Sequence, residues 1–175
     1  MLTLPLSLQD IELIKKVFFM AMMNGYVGNP HKTRIEQLPG TRNITFKHEE
    51  DGHIFIVTDT YWVTEQSDFS SGITVITCDG QPVWSMTYGG RYPEECIPFL
   101  KAALKENYSR NIFNGGRGPT KWTSREDFPG LVYENTDDCS SFEDFDGCEI
   151  VYYESKIDDQ GHHYYRGNLM VPIAI

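Results

Sequence analysis

The sequence predicts an α+β fold: one antiparallel sheet of hairpins packed by two helices in a single domain over residues 1–175. Three observations predict it. Apolar residues recur at three- and four-residue steps in two stretches only, near 8–23 and 94–107. Between and after them the period drops to two, and Asp-Gly pairs punctuate the runs. No Gly/Ser-rich or Pro-rich linker divides the chain, and 175 residues suffice to bury about 70% of the unfolded surface.

The elements follow in order. Ser7 with Asp10 three residues on is a near capping box, and Ile11, Ile14, Val17, Phe18, Ala21 and Met22 then form one apolar face up to Gly25. Residues 24–41, with Gly25, Gly28, Pro30, Pro39 and Gly40, are expected to be loop. Strands are expected over 43–88, turning at "EEDG" and again at Asp79-Gly80. Glu94 and Glu95 suit the first turn of the second helix, whose start slips toward residue 97 if Pro98 is to lie inside that turn. Residues 108–130 are expected to be irregular, and strands to return over 131–172.

Two hairpins share a design. "FSSGITVITCDGQPVWSMTYGG" (69–90) and "FDGCEIVYYESKIDDQGHHYYRG" (145–167) both run from Phe and Gly, through β-branched residues and an Asp-containing turn, to Tyr-x-Gly. Aligned, they place Glu149 where the first has Thr74. Whether this is a true duplication stays open.

Composition excludes several classes. No apolar run approaches the roughly 18 residues of a membrane span, and the N-terminus lacks the basic region of a secretory signal, so the expectation is cytoplasmic, with no membrane partner. Cys78, Cys96, Cys139 and Cys148 form no Cys-x-x-Cys pair and are expected to be reduced, packed thiols. The net charge of −10 lies entirely in residues 126–175, with 2 Lys/Arg against 12 Asp/Glu. Such a surface repels phosphate backbones, which argues against nucleic acid and leaves a basic protein as a conceivable partner.

The "DTYW…F…G…V…DGQPVWSMTYGG" stretch resembles an uncharacterised bacterial domain family of unknown function, found alone or behind helix-turn-helix segments. The resemblance rests on Asp59, Tyr61, Phe69, Gly72, Val75, Gly80, Pro82, Val83, Trp84, Met86, Tyr88 and Gly90, with Arg117-Gly118-Pro119 matching longer members. It covers roughly residues 12–120 and implies a fold family without an activity. Thr74 stands where the family has Glu, Thr87 where it has Asn, and one extra residue separates Phe69 from Gly72.

Candidate chemistry is sparse. Alternation puts Asp59 and Tyr61 on one strand face, and Trp84, Met86 and Tyr88 on another. Were those faces to coincide, a carboxylate would sit among aromatic walls suited to a small organic ligand; the competing reading is a core with Asp59 hydrogen-bonded inside it. Arg110, Arg117, Lys121 and Arg125 form a basic cluster around "NGGRGPTKW", which offers glycines for an anion nest with Arg117 as its bidentate partner, unless the arginines pair with the acidic last third. "EDFDG" fails as a calcium loop because Phe142 and Tyr153 fall on ligand positions, and His162-His163 on a strand point oppositely, so no metal and no cofactor is expected.

The sequence therefore favours a non-catalytic module binding a small ligand or a protein partner, with Asp59, Tyr61, Trp84, Tyr88, Arg117 and Glu149 as the ligand-binding candidates. One alternative is an enzyme on a small anionic substrate, Arg117 anchoring the anion and Asp59 or Glu149 serving as acid/base. The other is an acidic protein-interaction domain. Oligomeric state is not legible.

Overall fold

Ser7 closes the expected capping box: its hydroxyl accepts from the Asp10 N–H while Asp10 accepts from the Ser7 N–H, and helix α1 runs Leu8–Asn24. The computed structural model describes residues 5–28, 30–137 and 141–173, the side chains of 156–160 excepted. After α1 come β1 (Thr41–Glu50), β2 (His53–Thr64), β3 (Ser67–Cys78) and β4 (Gln81–Arg91). A 3₁₀ turn at Glu94–Cys96 leads into α2 (Ile97–Tyr108), with Pro98 in its first turn, where it costs no intrahelical hydrogen bond. Then β5 (Lys121–Thr123), β6 (Leu131–Asp137), β7 (Asp144–Tyr153) and β8 (Lys156–Leu169) complete the fold. Strand β5 corrects the expectation that 108–130 is wholly irregular; three residues between Gly- and Pro-rich segments are too few to show a period.

The eight strands form one open antiparallel sheet in the order β1-β2-β3-β4-β8-β7-β6-β5, an α+β architecture with two helices. Asp51-Gly52 and Asp79-Gly80 all have positive φ (52°, 77°, 50° and 81°), the geometry of the two-residue hairpin turns that Asp-Gly favours. Both helices pack on one sheet face, where Phe18, Phe55, Ile76, Trp84, Phe99, Leu100 and Phe145 are buried. Residues of the opposite parity, such as Ile54, Ile56, Trp62 and Tyr164, are exposed.

Each half of the chain contributes a helix followed by a four-stranded meander, and the halves meet where β4 pairs with β8. Tyr88 lies opposite Tyr165 at that seam, and the register on either side is related by an approximate two-fold axis through this pair. Asp59, Thr74 and Met86 form one cross-strand row; Asn135, Glu149 and His163 form its counterpart. Gly72 faces Tyr88 and Gly147 faces Tyr165. In both places a Cβ would collide with the tyrosine ring, so glycine is required for each ring to lie across its neighbouring strand. Tyr88 then donates to Asp59 Oδ1 at 2.7 Å, and Tyr165 to Asn135 Oδ1 at 2.7 Å. The likeness of the two hairpins is thus a likeness of architecture, down to which residue each tyrosine reaches.

The remaining sequence expectations resolve simply. Cys78 and Cys96 are buried and Cys148 half-buried, while Cys139 lies outside the described residues. Asp144 and Asp146 sit on β7 rather than in a loop. No helix among the described residues is long and apolar enough to cross a membrane.

Candidate functional site

Over the first half of the sheet, between the strands, α1, α2 and the segment that follows α1, lies an open cavity of about 1180 Å³. Asp59 and Tyr61 reach it from β2, Thr74 from β3, Met86 and Tyr88 from β4, and His163 from β8. Tyr26, Tyr92, Lys101, Tyr108 and Arg117 close its sides, and Lys32 stands at its mouth, its ammonium 5.7 Å from the Tyr61 ring centre.

Asp59 is the buried carboxylate of this wall, 8% exposed. Both hydrogen bonds it receives, from Thr74 Oγ1 at 3.1 Å and Tyr88 Oη at 2.7 Å, land on Oδ1. Oδ2 makes none among the described residues. A second void bordering Asp59, of about 10 Å³, is at the lower limit for one water, and its mostly apolar wall offers few polar partners. A partner for Oδ2 must therefore come from the large cavity. Burial raises the Asp59 pKa; the Tyr88 and Thr74 hydrogen bonds and the charges of Arg117 and Lys32 only partly oppose it. Tyr88 is pushed well up, first by burial and then by the Asp59 charge, so it stays a donor.

Beside Asp59 sits a complete ion pair. Arg117 donates to Glu149 Oε1, the two side chains being 8% and 0% exposed, and Tyr133 donates to Glu149 Oε2 at 2.7 Å. Burial alone would raise the Glu149 pKa, but the Arg117 charge and hydrogen bond hold it below the usual carboxylate value. The Arg117 guanidinium also lies 5.7 Å over the Tyr88 ring. Its Nε finds no acceptor among the described residues.

The six sequence candidates therefore divide. Asp59, Tyr61, Tyr88 and Arg117 meet at the cavity. Trp84 shares their sheet face but not the cavity: it stacks on Phe142 (5.2 Å, 11°) and Phe145 (5.7 Å, 20°), donates its indole N–H to the Phe142 carbonyl at 3.0 Å, and is fully buried. Glu149 is also enclosed, behind Arg117. Two N–H groups of the glycine loop are used within the chain, Arg117 N–H donating to Asn114 O and Gly118 N–H to Tyr133 Oη, and the Arg117 side chain that was to hold an anion is turned onto Glu149. The other cations of that cluster are dispersed, Arg110 to Glu106 and Lys121 to Glu134.

His163 was passed over because adjacent strand residues point apart, yet that same alternation turns it inward while His162 faces out. Its Nε2 lies 3.2 Å from Ser70 Oγ, and its Nδ1 has no partner among the described residues. Burial, then the Arg117 charge, pulls its pKa down to about 4, against a weaker lift from Glu149. The sign follows: folding disfavours the protonated ring, so the stability this group confers is full above about 6.5 and lost as pH falls toward 4. The His163→Gln variant is expected to show a shallower loss of stability between pH 6.5 and 4 than the parent, by up to about 3 kcal/mol, in urea denaturation across that range.

One further cluster has metal-ligand character. His53, Cys78 and Asp79 bring their ligand atoms within 4.8 Å of one another because β2 pairs with β3 and the turn folds back. Asp79 is occupied there by the Ile54 N–H and by His53 Nδ1, both at 2.9 Å.

The comparisons with known proteins define a class without a function. The family described as Domain of unknown function (DUF5680) matches residues 59–169, more than half the chain, and the chain belongs to that family. The matched stretch begins at Asp59 and ends with β8, beyond the 12–120 that the resemblance suggested. It includes every cavity residue supplied by β2–β4, α2 and β8 but not Tyr26 or Lys32. No curated protein and no solved structure matches the chain.

Proposed function

We propose that the protein is a non-catalytic module that binds a small organic molecule in the cavity over Asp59. One observation carries this reading. A buried carboxylate with one oxygen left unpartnered borders a roomy cavity walled by Tyr26, Tyr61, Tyr88, Tyr92 and Tyr108. An apolar and aromatic wall with a few convergent polar groups is the usual make-up of a small-molecule site. A core alone would be expected to close over Asp59 or to replace it; here the carboxylate stays open to the cavity, where a ligand group can reach it. A thermal-shift screen across amines, nucleotides, sugar phosphates and carboxylates tests the reading, since a ligand of the folded state raises the melting temperature by mass action. A screen in which no class gives a saturable rise would count against it.

An enzymatic reading draws on the raised pKa of Asp59, which suits a general acid or base. In that case Asp59 acts without Glu149, whose carboxylate is held ionised by Arg117, and without Arg117 as a substrate anchor. Mass spectrometry of any protective compound after incubation with the protein separates the two: turnover favours the enzyme, unchanged compound the binder.

A further inference from the structure

The two-fold relation between the halves says what kind of group the cavity lacks. In each half a connecting segment follows the helix and precedes the first strand: after α1 it opens with a 3₁₀ turn at Tyr26–Gly28, where the sequence predicts only loop, and continues over 30–40; after α2 it is the loop 109–120. The second loop folds inward over its own half of the sheet. Asn135 Nδ2 donates to the carbonyls of Asn114 at 3.1 Å and Gly118 at 3.2 Å, Tyr108 donates to the Gly116 carbonyl at 2.8 Å, and Arg117 is delivered to Glu149. Gly115 and Gly116 make this possible, with φ of 59° and 67° and ring atoms of Tyr165 and Phe18 where a Cβ would stand. The loop is, in effect, a built-in ligand: a guanidinium on a carboxylate, with backbone filling the space behind it.

The first loop does no such thing. It brings two cations to the cavity wall, Lys32 and Arg34, but neither forms a hydrogen bond or ion pair with Asp59 among the described residues: Lys32 rests over the Tyr61 ring, and the space over Asp59 remains open. Among the described residues the helix-covered face thus holds two buried carboxylates, Asp59 and Glu149, and one buried guanidinium, which is spent on Glu149. Around the unpartnered Asp59 Oδ2 stand tyrosine rings, whose faces attract cations.

We infer that the cavity takes an organic cation, a guanidinium or primary ammonium on a short carbon chain, with its charged head on Asp59 Oδ2 as Arg117 is on Glu149. This inference rests on the small-molecule reading above. The charge balance is compatible with it. The lining carries five basic and five acidic side chains, and Glu149 directly behind Arg117 adds one more negative charge. A bound cation completes an alternating set of four charges, and its hydrogen bonds to Asp59 are of the stronger, charge-assisted kind.

The probes are agmatine, which carries a guanidinium and a primary ammonium at opposite ends of a four-carbon chain, and N-butylurea, which keeps the chain and a planar head but neither charge. Agmatine is expected to raise the melting temperature of the parent protein saturably. N-butylurea is expected to leave it unchanged at the same concentrations. Asp59→Asn keeps an Oδ1 acceptor for Tyr88 and Thr74 and removes the charge. It is expected to melt at or above the parent temperature and to bind agmatine at least about tenfold more weakly by calorimetry. The ligand pair makes the comparison on the parent protein alone, so the test stands even if the variant does not fold. Equal shifts from agmatine and N-butylurea, or undiminished agmatine binding by a folded Asp59→Asn, would overturn the inference. Protection by inorganic phosphate, citrate or sugar phosphates but not by agmatine would overturn it while leaving the small-molecule reading standing. No protection by any class would remove both.

Discussion

Replacing Arg117 by alanine is expected to cost about 3–5 kcal/mol of folding stability, measured by chemical denaturation at neutral pH. The side chain is a surface-type residue in an interior position, and its removal leaves Glu149, wholly enclosed, with the Tyr133 hydroxyl as the one remaining hydrogen-bond donor to its carboxylate among the described residues. An unpaired buried carboxylate is among the more costly defects a core can contain. The loss is not one of charge alone: the loop over Asn135 and the contact of the guanidinium with Tyr88 depend on the same residue. A paired replacement of Arg117 and Glu149 by methionines should recover much of the deficit, because no orphaned charge then remains. From sequence, an exposed anion-binding arginine would have tolerated alanine with little effect on stability. The buried pair reverses that expectation, and a loss below about 1 kcal/mol would restore it.

Trp84→Ala is expected to destabilise by a similar amount, about 3–5 kcal/mol, as truncation of a large buried aromatic does. Trp84 is packed between Phe142 and Phe145 and against Phe18, and its N–H is satisfied by the Phe142 carbonyl. Because it does not line the cavity, any variant that remains folded should bind cavity ligands with near-parental affinity. Loss of binding with stability intact would show that Trp84 is a contact residue after all.

The two helices and most of the strands were legible because each states its own period: Ile11, Ile14, Val17 and Phe18 on α1, or the β-branched and aromatic run Ile54, Phe55, Ile56, Val57, Thr58 on β2. Alternation also assigned Trp84, Met86 and Tyr88 to one face. It could not show which of these would meet a ligand. Trp84 and Tyr88 are four residues apart, about 13 Å along a strand, and the helices cover one end of that row while the cavity opens at the other. Strand order was not legible either, since the β4–β8 pairing at the seam joins Tyr88 to Tyr165 across the whole second helix and three strands. The same distance hid the Arg117–Glu149 pair: both charges were visible as charges, but only the register of β7 and the inward fold of the loop make them partners. Tyr26 and Lys32 lie in a segment without periodicity, and nothing local could have marked them as walls of a site. His163 carried a usable signal, because strand alternation that sends His162 outward must send its neighbour inward.

The most direct test of the central claim, that the Asp59 cavity is where this protein meets its ligand, is an NMR titration with agmatine on the isotopically labelled protein. Concerted shifts of the Tyr26, Tyr61 and Tyr88 ring signals and of the Asp59 carboxyl carbon, with Trp62 and Tyr164 on the open sheet face unmoved, are the expected result. Shifts confined to that open face or to the acidic strand β7, with the tyrosines of the cavity silent, would contradict it.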